Sequence, residues 1–147
     1  MTVRDSLGTH FDSGTKLIPD DPDLARQARF KDRMLDLYLN DSISNLFFED
    51  RKSEEDRDPA LIERCRYRAR VCYEFMEKNF ENREWAIGEF SMADCAAAPP
   101  LFYAKTVFPF EDYPNVTAYY QRLGARPSWQ KVMDEVMPHV EQMHKAS

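Results

Sequence analysis

Gly88-Glu89-Phe90-Ser91-Met92-Ala93-Asp94, followed by Cys95-Ala96-Ala97-Ala98-Pro99-Pro100-Leu101-Phe102-Tyr103-Ala104, is the stretch that decides the fold of this chain. Its last ten residues carry no formal charge. Ser91 reads as the N-cap of a helix, with Asp94 three residues on. The serine hydroxyl can then accept from the Asp94 N–H while the carboxylate accepts from the Ser91 N–H. Phe90 before the cap and Cys95 at the fourth helical position are the pair a hydrophobic staple uses to fix the entry angle. Loss of either capping residue costs about 0.5–2 kcal/mol, and more where water cannot reach the helix end. A short uncharged helix whose small residues admit close neighbours belongs at the centre of a bundle.

Working outward, 147 residues make one domain with a continuous core, and 43% hydrophobic content with 13% aromatics is a globular composition. The formal net charge of -6 argues against nucleic acid and against anionic membrane surfaces, both of which demand a basic face. No apolar run approaches the length of a spanning helix, and Met1-Thr2-Val3-Arg4-Asp5 lacks the apolar centre of a signal peptide, so the expected location is cytoplasmic. Cys65 and Cys72 lie about 10.5 Å apart along a helix, too far to bridge, which points to reduced, core-packed thiols.

Residues 1–21, with Gly8, Gly14 and Pro19, read as an irregular or partly helical lead-in. Asp21-Pro22-Asp23 starts a helix expected to run to about Arg51. Leu24, Ala28, Leu35, Leu39 and Leu46 form its stripe, and Phe30, Met34, Leu37, Tyr38 and Phe47 widen it, predicting contacts on more than one side. Glu49 to Asp58 has no apolar residue, so burial is not expected anywhere in it. Asp58-Pro59 opens the next helix, with Leu61, Cys65, Ala69, Cys72, Met76 and Phe80 inward. Arg64, Arg66, Arg68 and Arg70 read as a solvated face paired with the acidic segment. Pro99-Pro100 is expected to bend the capped helix and redirect the chain. Val116, Tyr119, Tyr120 and Leu123 mark a helix ending near Gly124. Pro127 opens the last one, with Trp129, Val132, Met133 and Val136 inward and Pro138 closing it. The predicted fold is all-α, a bundle of about five helices: lead-in 1–21, helical domain 22–138, tail 139–147.

The chemistry legible in the residues is sparse. His10, His139 and His144 have no ligand spacing, and neither a Cys-x-x-Cys nor a His-Glu-x-x-His occurs, so no metal is expected. Glycine-rich phosphate loops are absent. No catalytic residue is assigned.

Gly88, Ser91-Met92-Ala93-Asp94-Cys95, Pro99, Tyr113-Pro114-Asn115-Val116, Tyr120, Arg122-Leu123 and Ala125-Arg126-Pro127-Ser128 resemble, in this order and spacing, the C-terminal helical domain of bacterial glutathione S-transferases. The likeness spans roughly Phe11 to Pro138. Phe11-Asp12-Ser13-Gly14 and Leu17-Ile18-Pro19 resemble the linker that leaves the family's thioredoxin-like domain. Pro100 beside Pro99 and a tail without an apolar end depart from the pattern.

The resemblance implies glutathione as the family co-substrate, with no cofactor bound by this chain itself. In the family the thioredoxin-like domain holds the tripeptide, and no residue here matches it. The expectation is a chain lacking that half and inactive alone, partnered as a homodimer or by a thioredoxin-like domain. The helical domain would wall the hydrophobic electrophile site and part of the dimer surface, which makes Arg33, Leu37 and Tyr38 the substrate-binding candidates. Their plainer reading is core for Leu37 and Tyr38 and a solvated charge for Arg33. Ser91 and Asp94 are assigned to folding. The alternative function is a non-catalytic interaction module, or a truncated remnant, using the exposed interdomain face.

Overall fold

Aspartate–proline pairs start two of the long rods in the computed structural model, which describes residue 14 and residues 16–145. The lead-in up to Ser13, including Phe11-Asp12-Ser13 of the linker motif, lies outside the described residues, as does the side chain of His144. Helix α1 (Pro22–Met34) is capped by Asp21, whose carboxylate accepts from the Asp23 and Leu24 N–H groups at 3.0 and 2.9 Å. The rod continues without a break through a π-helical turn (Leu35–Asn40) into α2 (Asp41–Asp50). A π turn takes up an extra residue, and across it Leu35, Leu39, Ile43 and Leu46 all remain buried. The widened stripe is corrected here. Phe30, Leu37 and Tyr38 are 56%, 52% and 52% exposed, whereas Met34 and Phe47 are partly buried where two later helices pack against the rod.

The charged segment after α2 also differs from expectation. Glu49 is buried and accepts from the Lys52 ammonium and from the Asp58 N–H at 2.8 Å. Arg57 donates to the Asp50 and Lys52 carbonyls at 2.8 and 3.2 Å across a short 3-10 turn, Glu54–Asp56. Hydrogen bonds hold this connection where apolar burial cannot. Asp58 caps α3 (Pro59–Asn79), accepting from Ala60 and Leu61 at 3.0 Å. On α3, Arg66 pairs with Glu63 and Arg68 with Asp41, on helices instead of the acidic segment.

Helix α4 (Met92–Val107) is the uncharged stretch, and it packs against α1, the π turn, α2 and helix α5 (Pro114–Gly124). Met92, Ala93, Ala96, Ala97, Leu101 and Ala104 are all buried, so α4 lies innermost as its composition demands. It runs through Pro99-Pro100 to Val107, and the chain turns only at Phe108–Tyr113. The two prolines remove two ladder donors, yet the helix continues for seven residues beyond them. Helix α6 (Pro127–Lys145) passes through Pro138, which does not close it, and Val132 is 49% exposed. Among the described residues there are thus five rods, α1–α2 counting as one, and no strand.

The rods are tied by side chain to backbone bonds. Glu77 of α3 accepts from the Asn115 and Val116 N–H groups at 3.0 and 3.2 Å, capping α5 from outside. Tyr73 donates to the Phe108 carbonyl at 2.7 Å, and Arg122 to the Glu84 and Arg83 carbonyls at 3.0 Å. The Arg126 guanidinium lies 3.5 Å from the centre of the Phe90 ring, itself edge-on to Trp85. Cys65 and Cys72 are buried free thiols, and burial pushes Cys72 up to about 11. No helix among the described residues is long and apolar enough to cross a membrane.

Candidate ligand groove

The capping box reaches further than a cap. Ser91 and Asp94 are buried and form the reciprocal bonds their spacing predicts. Asp94 accepts in all from Ser91 N at 2.8 Å, Ser91 Oγ at 3.3 Å, Ala86 N at 2.9 Å and the Tyr119 hydroxyl at 2.7 Å. One carboxylate therefore joins the entry loop, α4 and α5. Burial pushes its pKa upward, and those four bonds oppose the rise. It is walled off from solvent, so it holds the scaffold and has no access to a substrate.

Nearby, Lys31 of α1 is also buried, its ammonium bonded to the Ala86 carbonyl and 5.7 Å from the centre of the Phe80 ring. Burial, with the charge of Arg83, pushes it down to about 8. Sequence reading missed this lysine, because its position within α1 looks like any solvated charge.

Among the described residues, two grooves on the surface are large enough to matter here. The larger, about 620 Å³, lies at the far end of the α1–α2 rod. Ser44, Phe47 and Phe48 of α2, with Arg51 just beyond, form one wall. Phe102, Tyr103, Lys105 and Thr106 of α4 form the second, and Tyr120 of α5 and Val140 of α6 complete it. Phe47 meets Tyr103 edge-on at 5.2 Å between ring centres. Trp129 backs this wall, 6.4 Å from Phe102 and 6.0 Å from Tyr120. The Arg51 guanidinium sits 4.9 Å from the Phe47 ring centre, and the Lys105 ammonium 5.6 Å from that of Tyr120. The volume suits a small organic molecule, and an aromatic floor with few polar groups is the usual make-up of such sites.

The smaller groove, about 350 Å³, runs between α1 and α3 on the outer face and is lined by Phe30, Met34, Tyr38, Tyr67, Val71 and Phe75, among others. Of the three residues expected to bind substrate, Tyr38 lines this groove. Arg33 and Leu37 are exposed beside it and line neither groove. Phe48, Arg51 and Lys105 were not legible as site residues. The one available signal was the adjacent pair Phe47-Phe48 just before the rod ends, where only one of two neighbours can face a core.

The family model described as "Glutathione S-transferase, C-terminal domain" matches residues 59–122. No curated protein matches the chain. Among solved structures, a glutathione S-transferase from Methylobacillus flagellatus with glutathione bound is 24% identical, with a TM-score of 0.76 over 86% of this chain and 64% of that one. One from Methylobacterium radiotolerans in complex with glutathione sulfonate is 28% identical, with a TM-score of 0.73 over 86% and 61%. The glutathione transferase URE2P8 from Phanerochaete chrysosporium, with oxidized glutathione, is 15% identical, with a TM-score of 0.78 over 93% and 64%. This chain therefore spans a little over six-tenths of the length of the structures it matches. Family model and superposition agree: residues 59–122 match the C-terminal domain of glutathione S-transferases, and the helical bundle has the fold of that domain.

Proposed function

We propose that this domain is the substrate-walling half of a glutathione transferase, and that the larger groove receives the apolar electrophile. The observation that carries this reading is an aromatic-lined space of about 620 Å³ where the long rod, α4 and α6 converge. In this reading glutathione is held by a thioredoxin-like domain, its thiolate sulfur bonds to the electrophilic carbon, and a leaving group departs. Arg33, Leu37 and Tyr38, on the exposed side of the long rod, are proposed to face that domain or a partner. A cytoplasmic location is part of the same proposal.

A second reading draws support from the outer face of α1 and α3. Phe30, Tyr38, Tyr67 and Val71 are 56%, 52%, 65% and 46% exposed around the smaller groove. Contiguous apolar surface of this kind marks a contact site, and a second copy of the chain is the proposed occupant.

Trp129 makes the first reading testable, since it backs the groove. Titration of the chain with S-(2,4-dinitrophenyl)glutathione, whose chromophore quenches indole, is expected to give saturable loss of fluorescence. That loss disappears in Trp129→Phe and weakens in Phe47→Ala. Absence of saturation, or the same curve in Phe47→Ala, would overturn the assignment of the groove.

A further inference from the structure

The entry loop between α3 and α4, residues 80–91, is tied to the helices by side chains. Its own backbone bonds, from Arg83 N–H to the Phe80 carbonyl and from Gly88 N–H to the Trp85 carbonyl, close only local turns. Ala86 is buried and gripped from two sides, its N–H by Asp94 of α4 and its carbonyl by Lys31 of α1. The two grips are not equally supported. Asp94 accepts four bonds. The Lys31 ammonium has three protons to donate, and among the described residues it meets one carbonyl and one ring, that of Phe80. Of the charged groups around it, Arg83 of the loop opposes its charge and Asp94 favours it. The Tyr119 hydroxyl of α5 lies behind Asp94, and buried Asp32 follows Lys31 on α1. A dry ammonium with so few partners costs free energy that a neutral amine, still able to donate to the Ala86 carbonyl, does not. Burial accordingly holds Lys31 down at about 8.

The lead-in is fastened to the residue beside this grip. Ile87 joins Ala28 and Met92 in a small core of their own, on which Leu17, Ile18 and Leu24 pack, and the Met92 N–H donates to the Leu17 carbonyl at 2.8 Å. We propose that Lys31 is a proton-operated latch: as the neutral amine it holds the entry loop shut on α1, and as the ammonium it favours a local opening that draws Ile87 away and loosens the lead-in at Leu17 and Ile18. Opening gives the ammonium the water it lacks. The main core can stay packed meanwhile, because the small core is separate from it.

Amide exchange of the full chain, read by NMR and corrected for base catalysis, tests this at two positions. The Ala86 N–H is bonded to Asp94 and reports the loop; the Met92 N–H is bonded to Leu17 and reports the lead-in. A lysine at about 8 in the closed loop and at its ordinary 10.5 in the open one makes opening about tenfold rarer at pH 9 than at pH 7, with little dependence on urea. Lys31→Met is expected to erase this pH dependence. Lys31→Arg, which keeps its charge throughout, is expected to leave both amides exchanging fast at either pH. A flat parent profile between pH 7 and 9 overturns the latch, as does the same tenfold change in Lys31→Met. Urea dependence at Ala86 and Met92 equal to that of a core amide such as Leu101 means that they open only with the whole domain, which also overturns it. That comparison is made in the parent chain and needs no variant. Slowing at Ala86 with none at Met92 overturns the link to the lead-in.

Discussion

Replacing Asp94 by alanine tests whether one buried carboxylate holds three parts of this fold together. The change orphans the N–H groups of Ala86 and Ser91 and the hydroxyl of Tyr119, and only the Ser91 hydroxyl is free to re-pair. A buried donor left without a partner costs about 1–3 kcal/mol. Three such losses, less the desolvation recovered when the carboxylate leaves, give a net loss of about 3–5 kcal/mol, a large share of the ~5–15 kcal/mol typical of a domain. Ser91→Ala removes the ordinary cap and should cost ~1 kcal/mol. Tyr119→Phe removes one bond and should cost a similar ~1 kcal/mol. Urea unfolding followed by circular dichroism measures all three, with the Asp94→Ala/Tyr119→Phe double variant closing a cycle whose coupling should reach ~1 kcal/mol or more. An Asp94→Ala loss no larger than that of Ser91→Ala would refute the reasoning, since Asp94 would then be a helix cap and nothing more.

Other expectations follow from the same contacts. Lys31 is held at about 8, below its unfolded value near 10.5, so from pH 8 to 10.5 the unfolded chain binds the extra proton and stability from this group rises with pH. Cys72, raised to about 11, and the buried phenols of Tyr73 and Tyr119 act in the opposite direction above about pH 9, so the comparison is parent minus Lys31→Met. A flat difference between pH 8 and 10.5 refutes it. Glu77→Ala removes the outside cap of α5 and should cost ~1–2 kcal/mol, with faster amide exchange at residues 115–118 and partial recovery in Glu77→Gln. Unchanged exchange there would count against the cap. Tyr67→Glu puts a charge into the outer apolar face and should convert a dimer to monomers in sedimentation velocity. A parent chain that is monomeric at high concentration removes the basis for that face as a contact.

How far the fold was legible depends on the range of the interactions that fix each part. Asp21-Pro22, Asp58-Pro59 and Ser91 with Asp94 are pairs within four residues, and each starts a helix where its local chemistry dictates. Pro138 misled because an interior proline can kink a helix without ending it, and α6 continues past it to Lys145. Glu49 was read as solvated because its partners, Lys52 and the Asp58 N–H, come together only when the connection folds back. The larger groove was the least visible feature: Phe47 and Tyr103 are neighbours in space and far apart in sequence, and no periodicity joins them.

By itself, then, the sequence determined the number of rods, where most of them begin, and that the uncharged one lies innermost, because caps and apolar spacing act over a turn or two of helix. Tertiary structure alone decided which aromatic side chains of the long rod turn outward, which aromatic side chains of separate rods line one groove, and that Asp94 and Lys31 both act on the loop at Ala86. Those outcomes depend on how rods are placed against one another, and packing between distant segments is set by the whole bundle at once.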